Sequence, residues 1–249
     1  MNHISILVKF RNGRYLTECQ KVTPNALNKA FEAFLIRTKY ILVKRLLIFR
    51  VMRLQGRIMG IVSSWFQRDY STKTTLVFVL LRCPDTVESV NFASIDVDGD
   101  NSTNTIIETL KSRSFGNIEL VLTKGISLGG LNLYDPNAIF NSTGIPAASL
   151  SRVPHCKECV EKAIKSLEFR VGKVQEEKLK ILNCLETNAV TIKNEKYYVN
   201  AAGISQNELV LILSGCFKTG LLPEPLRLAQ IIASGLYNSN ELFSVHHKV

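Results

Sequence analysis

Residues 121–132 read VLTKGISLGGLN. Together with the preceding Ile118-Glu119-Leu120, the stretch is a short apolar run. It closes on Lys124 and passes at once into a turn carrying Gly125, Gly129 and Gly130. A run so short and so apolar is a central strand of a sheet covered on both faces. A strand that stops on a charged residue before a glycine turn presents that residue to a site. Lys124 is therefore the place to ask what the chain meets there.

Working outward, RIMGIV (57–62) and TTLVFVLLRC (74–83) read as adjacent strands joined by a turn around Gln67–Lys73. VESVNFASIDVD (87–98) reads as a third strand, apolar at every second residue over much of its length. Asp98-Gly99-Asp100 is a turn, after which Asn101, Ser102 or Thr103 can cap the helix TNTIIETLKSR. After residue 132 the pattern predicts a helix around Pro136–Ser142, a strand IPAASL, and two polar helices over Cys156–Glu168 and Gln175–Leu185. A hairpin turning at Asn194 comes next, then a helix capped by Ser205 and a last helix opening near Pro223-Glu224-Pro225. The reading is α/β: a mixed sheet flanked by helices, with three leading antiparallel strands and later parallel additions.

The N-terminal quarter differs. Asn12-Gly13, between His3–Phe10 and Tyr15–Gln20, is a strong short hairpin signal. Thr23-Pro24 then gives a cap and a first-turn proline for a helix that runs without a breaker to Gly56. Residues 1–58 hold 12 of the chain's 31 Lys/Arg but only Glu18 and Glu32 of its 21 acidic residues, which leaves 19 of each sign in the rest. The whole net charge of +10 therefore lies in this arm. Such asymmetry points to a basic hairpin-helix extension, residues 1–55, on a neutral domain, residues 56–249. Its cations Lys39, Lys44, Arg45, Arg50 and Arg53, with Arg57, are the expected nucleic-acid contacts; the basic helix could equally dock on a protein partner.

With 46% apolar and 21% charged residues, the 249-residue chain can bury a core. No segment approaches the roughly 18 apolar residues of a membrane span, and Ile4–Val8 is too short for a secretory signal. Six scattered cysteines are too few for a disulfide framework, so a cytoplasmic setting is expected and the sequons at Asn101 and Asn141 are chance matches.

The small motifs exclude more than they assert. His155-Cys156-Lys157-Glu158-Cys159 lacks a second Cys/His pair at zinc spacing and reads as the start of a helix. GISLGG has no following Lys-Ser/Thr signature, so it is no P-loop, and its glycines read as close backbone approach. Asp96-Val97-Asp98-Gly99-Asp100 lacks the closing glutamate of a calcium loop; it is a polar turn or one side of a divalent-metal site.

Four stretches, DVDGDNST (96–103), VLTKGISLGGLN, NAAGISQNELVLIL (200–213) and GLLPEPLRLAQIIASGL (220–236), together resemble the archaeal endonuclease dU family. That family is a domain-of-unknown-function group distantly related to endonuclease V, with an RNase H-like fold. The resemblance spans Met52 to Leu236, and MRLQGRIMGI (52–61) resembles the family's usual start. Residues 1–51 are then a fused extension or the product of an early start codon. The resemblance implies metal-dependent DNA repair chemistry carried by aspartates at two strand ends. Where members carry Gly-Ile-Asp-Asp-Gly, this chain has Gly60-Ile61-Val62-Ser63-Ser64, and where they carry Asp-Gly it has Lys124-Gly125. Two-metal hydrolysis needs hard anionic ligands at both ends. The expected protein is therefore a nucleic-acid-binding pseudoenzyme, with DNA the partner rather than RNA and no cofactor. Lys124 would stand in for the metal's charge within reach of Asp98 or Asp135. The alternative is an active endonuclease on uracil- or inosine-containing DNA. There Asp98, Asp100 and Asp135, which match acidic family positions, with Asp69 nearby, would hold Mg2+ or Mn2+ weakly, Asp98 and Asp135 foremost. A third reading is a non-catalytic protein-interaction module.

Overall fold

A computed structural model of the chain describes residues 7–11, 14–18, 56–67, 70–113, 115–172 and 175–245. The chain divides into two compact units, 1–51 and 52–249. Of the first, β1 (Leu7–Arg11) and β2 (Arg14–Glu18) form an antiparallel hairpin with Arg11 opposite Arg14, as alternation around Asn12-Gly13 predicts. The basic helix, with Lys39, Lys44, Arg45, Arg50 and Arg53, lies outside the described residues, as does Asp69.

The second unit is built on seven strands. They are β3 (Arg57–Ser63), β4 (Lys73–Arg82), β5 (Thr86–Asp96), β6 (Leu120–Lys124), β7 (Ala147–Ser151), β8 (Asn188–Ile192) and β9 (Glu195–Ala202). Their order across the sheet is β5-β4-β3-β6-β7-β9-β8. The first three form an antiparallel meander, β6 and β7 add in parallel to β3, and the β8–β9 hairpin closes the far edge antiparallel. A meander followed by parallel strands laid against its first member is the RNase H-like sheet, and the strand sequence predicted from the pattern is the one observed. At the β8–β9 turn Lys193 and Asn194 both take positive φ, 49° and 68°. Two successive left-handed residues match the twist of a two-residue hairpin, which is why the asparagine marked the turn.

Alternation sorts each central strand between two cores. From β3, Ile58 and Val62 enter one cluster, and Met59 and Ile61 enter the other. The first cluster lies under α5 (Gln206–Ser214) and α6 (Glu224–Val245), through Leu209, Leu213, Leu226, Ala229 and Ala233. The second lies under α1 (Ser102–Ser112) and α2 (Pro136–Thr143), through Ile106, Leu110 and Ile139. A smaller cluster joins Ile126 and Leu133 to Ile164 of α3 (Lys157–Val171) and Leu182 of α4 (Glu176–Cys184). Helices on both faces are the reason β3 and β6 read as continuous apolar runs.

Helix ends follow their sequence signals with one exception. Ser205 and Glu208 form a full capping box on α5. Asn101 stands at the start of α1 but makes no side-chain cap. Its carboxamide oxygen instead accepts from the backbone N–H of Asp96 and from Asn132.

The α6 helix presses its first turn onto the middle of β3. A Cβ at Gly60 would strike the backbone carbonyl of Pro225, so residue 60 must be glycine for helix and strand to meet. Beside this contact Glu224, 2% exposed, accepts from Arg227: the Nε–H is shared between its two carboxylate oxygens at 3.0 Å, and Nη2 donates to Oε2 at 2.7 Å. Gly60→Ala should lower stability by about 1–3 kcal/mol, the usual cost of overpacking. Gly235→Ala, later in α6 with open space around it, should be neutral or raise the midpoint slightly. Thermal unfolding of the two variants checks this; a Gly60→Ala midpoint at or above the parent's would contradict the contact.

Candidate functional site

The parallel register pairs Ile61 with Thr123, so the next residues, Val62 and Lys124, adjoin at the carboxyl ends of β3 and β6. Strand alternation sets both on the α6 side: Val62 joins the cluster of Ile58 and Leu122, and Lys124 extends toward the helix. There its Nζ donates to Gln230 Oε1 at 3.1 Å. These residues share a cleft of about 470 Å³ lined by Val62, Ser63, Trp65, Lys124, Ser127 and Gln230 among others. On its other side Lys124 borders a second hollow of about 380 Å³, which Arg152 and Tyr197 help to line. Arg152 is paired with Glu195 at 3.1 Å. Lys124 is thus a ridge between two hollows at the end of the parallel strands.

The strand-end positions singled out in the sequence, Val62, Ser63 and Lys124, therefore come together. The acidic candidates do not join them. Asp98 has φ 57° in the β5–α1 turn; its Oδ1 accepts from the Leu131 N–H at 2.7 Å, and its Oδ2 lies 3.9 Å from Arg170. Asp135 caps α2, accepting from the Asn137 N–H at 2.9 Å. Asp100 is exposed in the turn. None of the three lines the cleft. The expected pairing of Lys124 with Asp98 or Asp135 is corrected to the hydrogen bond with Gln230: Lys124 faces α6, whereas Asp98 is turned to the Leu131 N–H of the glycine turn and Asp135 to the Asn137 N–H of the helix it caps. Arg57 is also committed elsewhere. It stands at the opposite end of β3, about 20 Å away at strand rise, where it bonds Glu88, Asn117 O and Phe115 O. The guanidiniums of Arg57 and then Arg82 hold the Glu88 carboxyl below the usual range.

The glycine turn serves this packing. Gly129 and Gly130 have positive φ, and a Cβ on either would strike Thr74 or Asp98 respectively. Buried Asn132 ties the turn to the acidic one, accepting from Ser102 N–H and donating to Asp96 O and Asn101 Oδ1. Lys178, 2% exposed, donates to Gly99 O at 2.6 Å. Both turns are held by hydrogen bonds of structural character, as close backbone approach predicts.

Gln230, Ser127 and Trp65 were not anticipated. Gln230 is 106 residues from Lys124, and no local pattern signals so distant a partner. Trp65, 55% exposed and the chain's single tryptophan, did carry a signal: a large aromatic directly after a strand end.

The donor set decides whether a divalent metal fits between the strand ends. The cleft lining offers hydroxyls, a carboxamide and one ammonium, and no carboxylate. Magnesium and manganese select charged oxygen ligands, and the ammonium repels them; the set does not fit. Among the described residues no group of three or more His, Cys, Asp or Glu could hold a metal ion.

At the second hollow, His155 packs near Gly125, where a Cβ would stand 3.7 Å from its Cε1. Burial pushes the His155 imidazole below its ordinary range. Cys156 and Cys159 do open α3 as the sequence implies, but they are also bonded to each other, which the sparse cysteine count did not suggest.

Strand order and the cleft at the ends of β3 and β6 define the class, an RNase H-like domain. The chain belongs to the endonuclease dU family, whose profile matches residues 55–237. It is 30% identical over 195 residues to a "UPF0215 protein" of Thermococcus sibiricus, covering 76% of this chain and 96% of that protein. A crystal structure of a protein of unknown function from Archaeoglobus fulgidus is similar at a TM-score of 0.63 and 26% identity, over 73% of this chain and 98% of the other. The endonuclease V of Ciona intestinalis, in complex with inosine-containing DNA, gives a TM-score of 0.46 at 15% identity, over 76% and 86% of the two chains. No described helix is long and apolar enough to cross a membrane.

If residues 62 and 124 face one site, restoring aspartate at both should create a divalent-metal site. In Val62→Asp with Lys124→Asp, magnesium should raise the thermal midpoint in a concentration-dependent way, because a ligand that binds only the folded state stabilises it. The parent midpoint should not respond. A folded double variant that ignores magnesium would show that these side chains do not converge.

Proposed function

We propose that this chain binds nucleic acid, DNA in preference to RNA, through the cleft at the ends of β3 and β6, without metal-dependent cleavage. One observation carries the reading: residues 62 and 124 adjoin at the strand ends and bring an apolar side chain and an ammonium to the place where the family pattern has two carboxylates. A lysine at that spot is a compact point charge suited to a phosphate oxygen. Trp65 in the cleft wall adds an indole face for base stacking, a contact tolerant of sequence. The cations of residues 1–55 add counterion release. The family's description names deoxyuridine, and a strand carrying that nucleotide is the substrate class to offer first.

The experiment is fluorescence anisotropy of the full chain with a labelled oligonucleotide carrying one deoxyuridine, in parallel with gel analysis in millimolar magnesium or manganese. Lys124→Glu should weaken binding and reduce the slope of log K against log salt by roughly one phosphate contact, about 0.7–0.9. Trp65→Ala should cost about 1–3 kcal/mol. The oligonucleotide should stay intact. Unchanged affinity and slope in Lys124→Glu would remove the cleft from the interface, and magnesium-dependent cleavage abolished by Asp98→Ala would establish the enzyme instead.

A further inference from the structure

The chain carries a second chemistry at the start of α3. Cys156 and Cys159 are three residues apart in the first turn of that helix, with Cα atoms 5.1 Å from each other, and are joined by a disulfide. Both are exposed. Cys156 is the N-cap, and its Sγ accepts the Cys159 N–H at 3.2 Å. A sulfur in that position faces the unsatisfied N–H groups of the helix start and its positive dipole end, which favour a thiolate over a thiol. Cys159, inside the helix, reaches Cys156 without backbone movement, since the Cα separation lies within the range a disulfide spans.

The contrast with the other described cysteines is instructive. Cys83 and Cys216 are buried; a hydrogen bond between them and burial push the Cys216 thiol up. Cys184 is exposed but stands as a single free thiol. Cys156 with Cys159 therefore combines exposure, a thiolate-stabilising helix start and a partner thiol in reach.

We propose that Cys156 and Cys159 form a reversible dithiol/disulfide site that exchanges with low-molecular-weight disulfides, with Cys156 the attacking sulfur. In the oxidising direction the Cys156 thiolate attacks one sulfur of a small disulfide RSSR. The S–S bond breaks, one RS⁻ leaves and takes up a proton, and Cys156 carries a mixed disulfide. Cys159 gives up its proton and attacks Cys156 Sγ, expelling the second RS⁻, which is protonated in turn. Two protein thiols lose two electrons and two protons, and RSSR becomes two RSH. Excess RSH runs the same steps backwards. The site stands independently of the nucleic-acid reading, because none of its residues lines the cleft.

The test equilibrates the full chain in glutathione buffers of graded oxidised-to-reduced ratio, quenches with acid, and alkylates free thiols before peptide mass spectrometry. Cys156 and Cys159 should lose reactivity together in one two-electron transition that leaves no glutathione on either, whereas exposed Cys184 loses reactivity only by carrying glutathione as a mixed disulfide. Cys159→Ser should trap glutathione on Cys156. Cys156→Ser should form an adduct on Cys159 about tenfold more slowly, as expected when the helix start activates only the capping sulfur. The proposal is overturned if the pair remains alkylated in the most oxidising buffer, if it remains bonded in the most reducing one, or if the two single variants react at equal rates. Stoichiometric zinc that shields both thiols from alkylation would also overturn it. Should a serine variant fail to fold, the titration of the parent chain decides.

Discussion

The parallel pairing of β3 with β6 is the constraint on which the rest of this domain depends. It joins the first strand of the meander to the first strand of the parallel half, and its register makes residues 62 and 124 neighbours. Strand alternation then turns both toward α6, whose position is set by the contact of Pro225 with Gly60. Backbone hydrogen bonds, one glycine and one helix thus fix the geometry of the cleft before any functional side chain is chosen. The side chains at its end can change without disturbing the frame.

Their identity has energetic consequences. Two carboxylates side by side repel each other unless a cation lies between them. Val62, 8% exposed, instead extends the apolar cluster under α6; burying a valine stabilises by about 1.5 kcal/mol or more. Lys124 keeps its ammonium at the rim and satisfies it on Gln230. An apolar side chain and a satisfied ammonium carry none of the strain that paired carboxylates impose on an active site. The β5–α1 turn has a structural role of its own: Asp98 accepts from the Leu131 N–H and Asn132 donates to Asp96 O, which binds the glycine turn to the acidic one.

Much of this was legible in the sequence because it is local. Apolar runs and alternation located all seven strands of the sheet, Ser205 with Glu208 marked the start of α5, and Asn194 marked the last hairpin. The resemblance to the endonuclease dU family singles out Val62, Ser63 and Lys124, and the fold brings these positions together. What escaped is long-range. Gln230 as the partner of Lys124, and Glu88 as the partner of Arg57, depend on helix placement and strand pairing that no short window contains. Asp135 looked like a metal ligand and is a helix cap, since an aspartate before Pro136 serves either role in sequence. The Cys156–Cys159 bond was hidden because counting cysteines along the chain does not show that two of them share a helix turn.

The proposed binding cleft holds no divalent metal at the strand ends of β3 and β6, where its lining offers no carboxylate. Paramagnetic broadening by Mn2+ of the backbone amide signals of Val62, Ser63, Lys124 and Gly125 tests it most directly, because broadening reports proximity of the ion at each residue. These signals should remain as sharp as those of distant core amides such as Val79 until manganese reaches concentrations that broaden amides near exposed carboxylates everywhere. Selective loss of the four signals at substoichiometric manganese would contradict it and place a working metal centre between the strands.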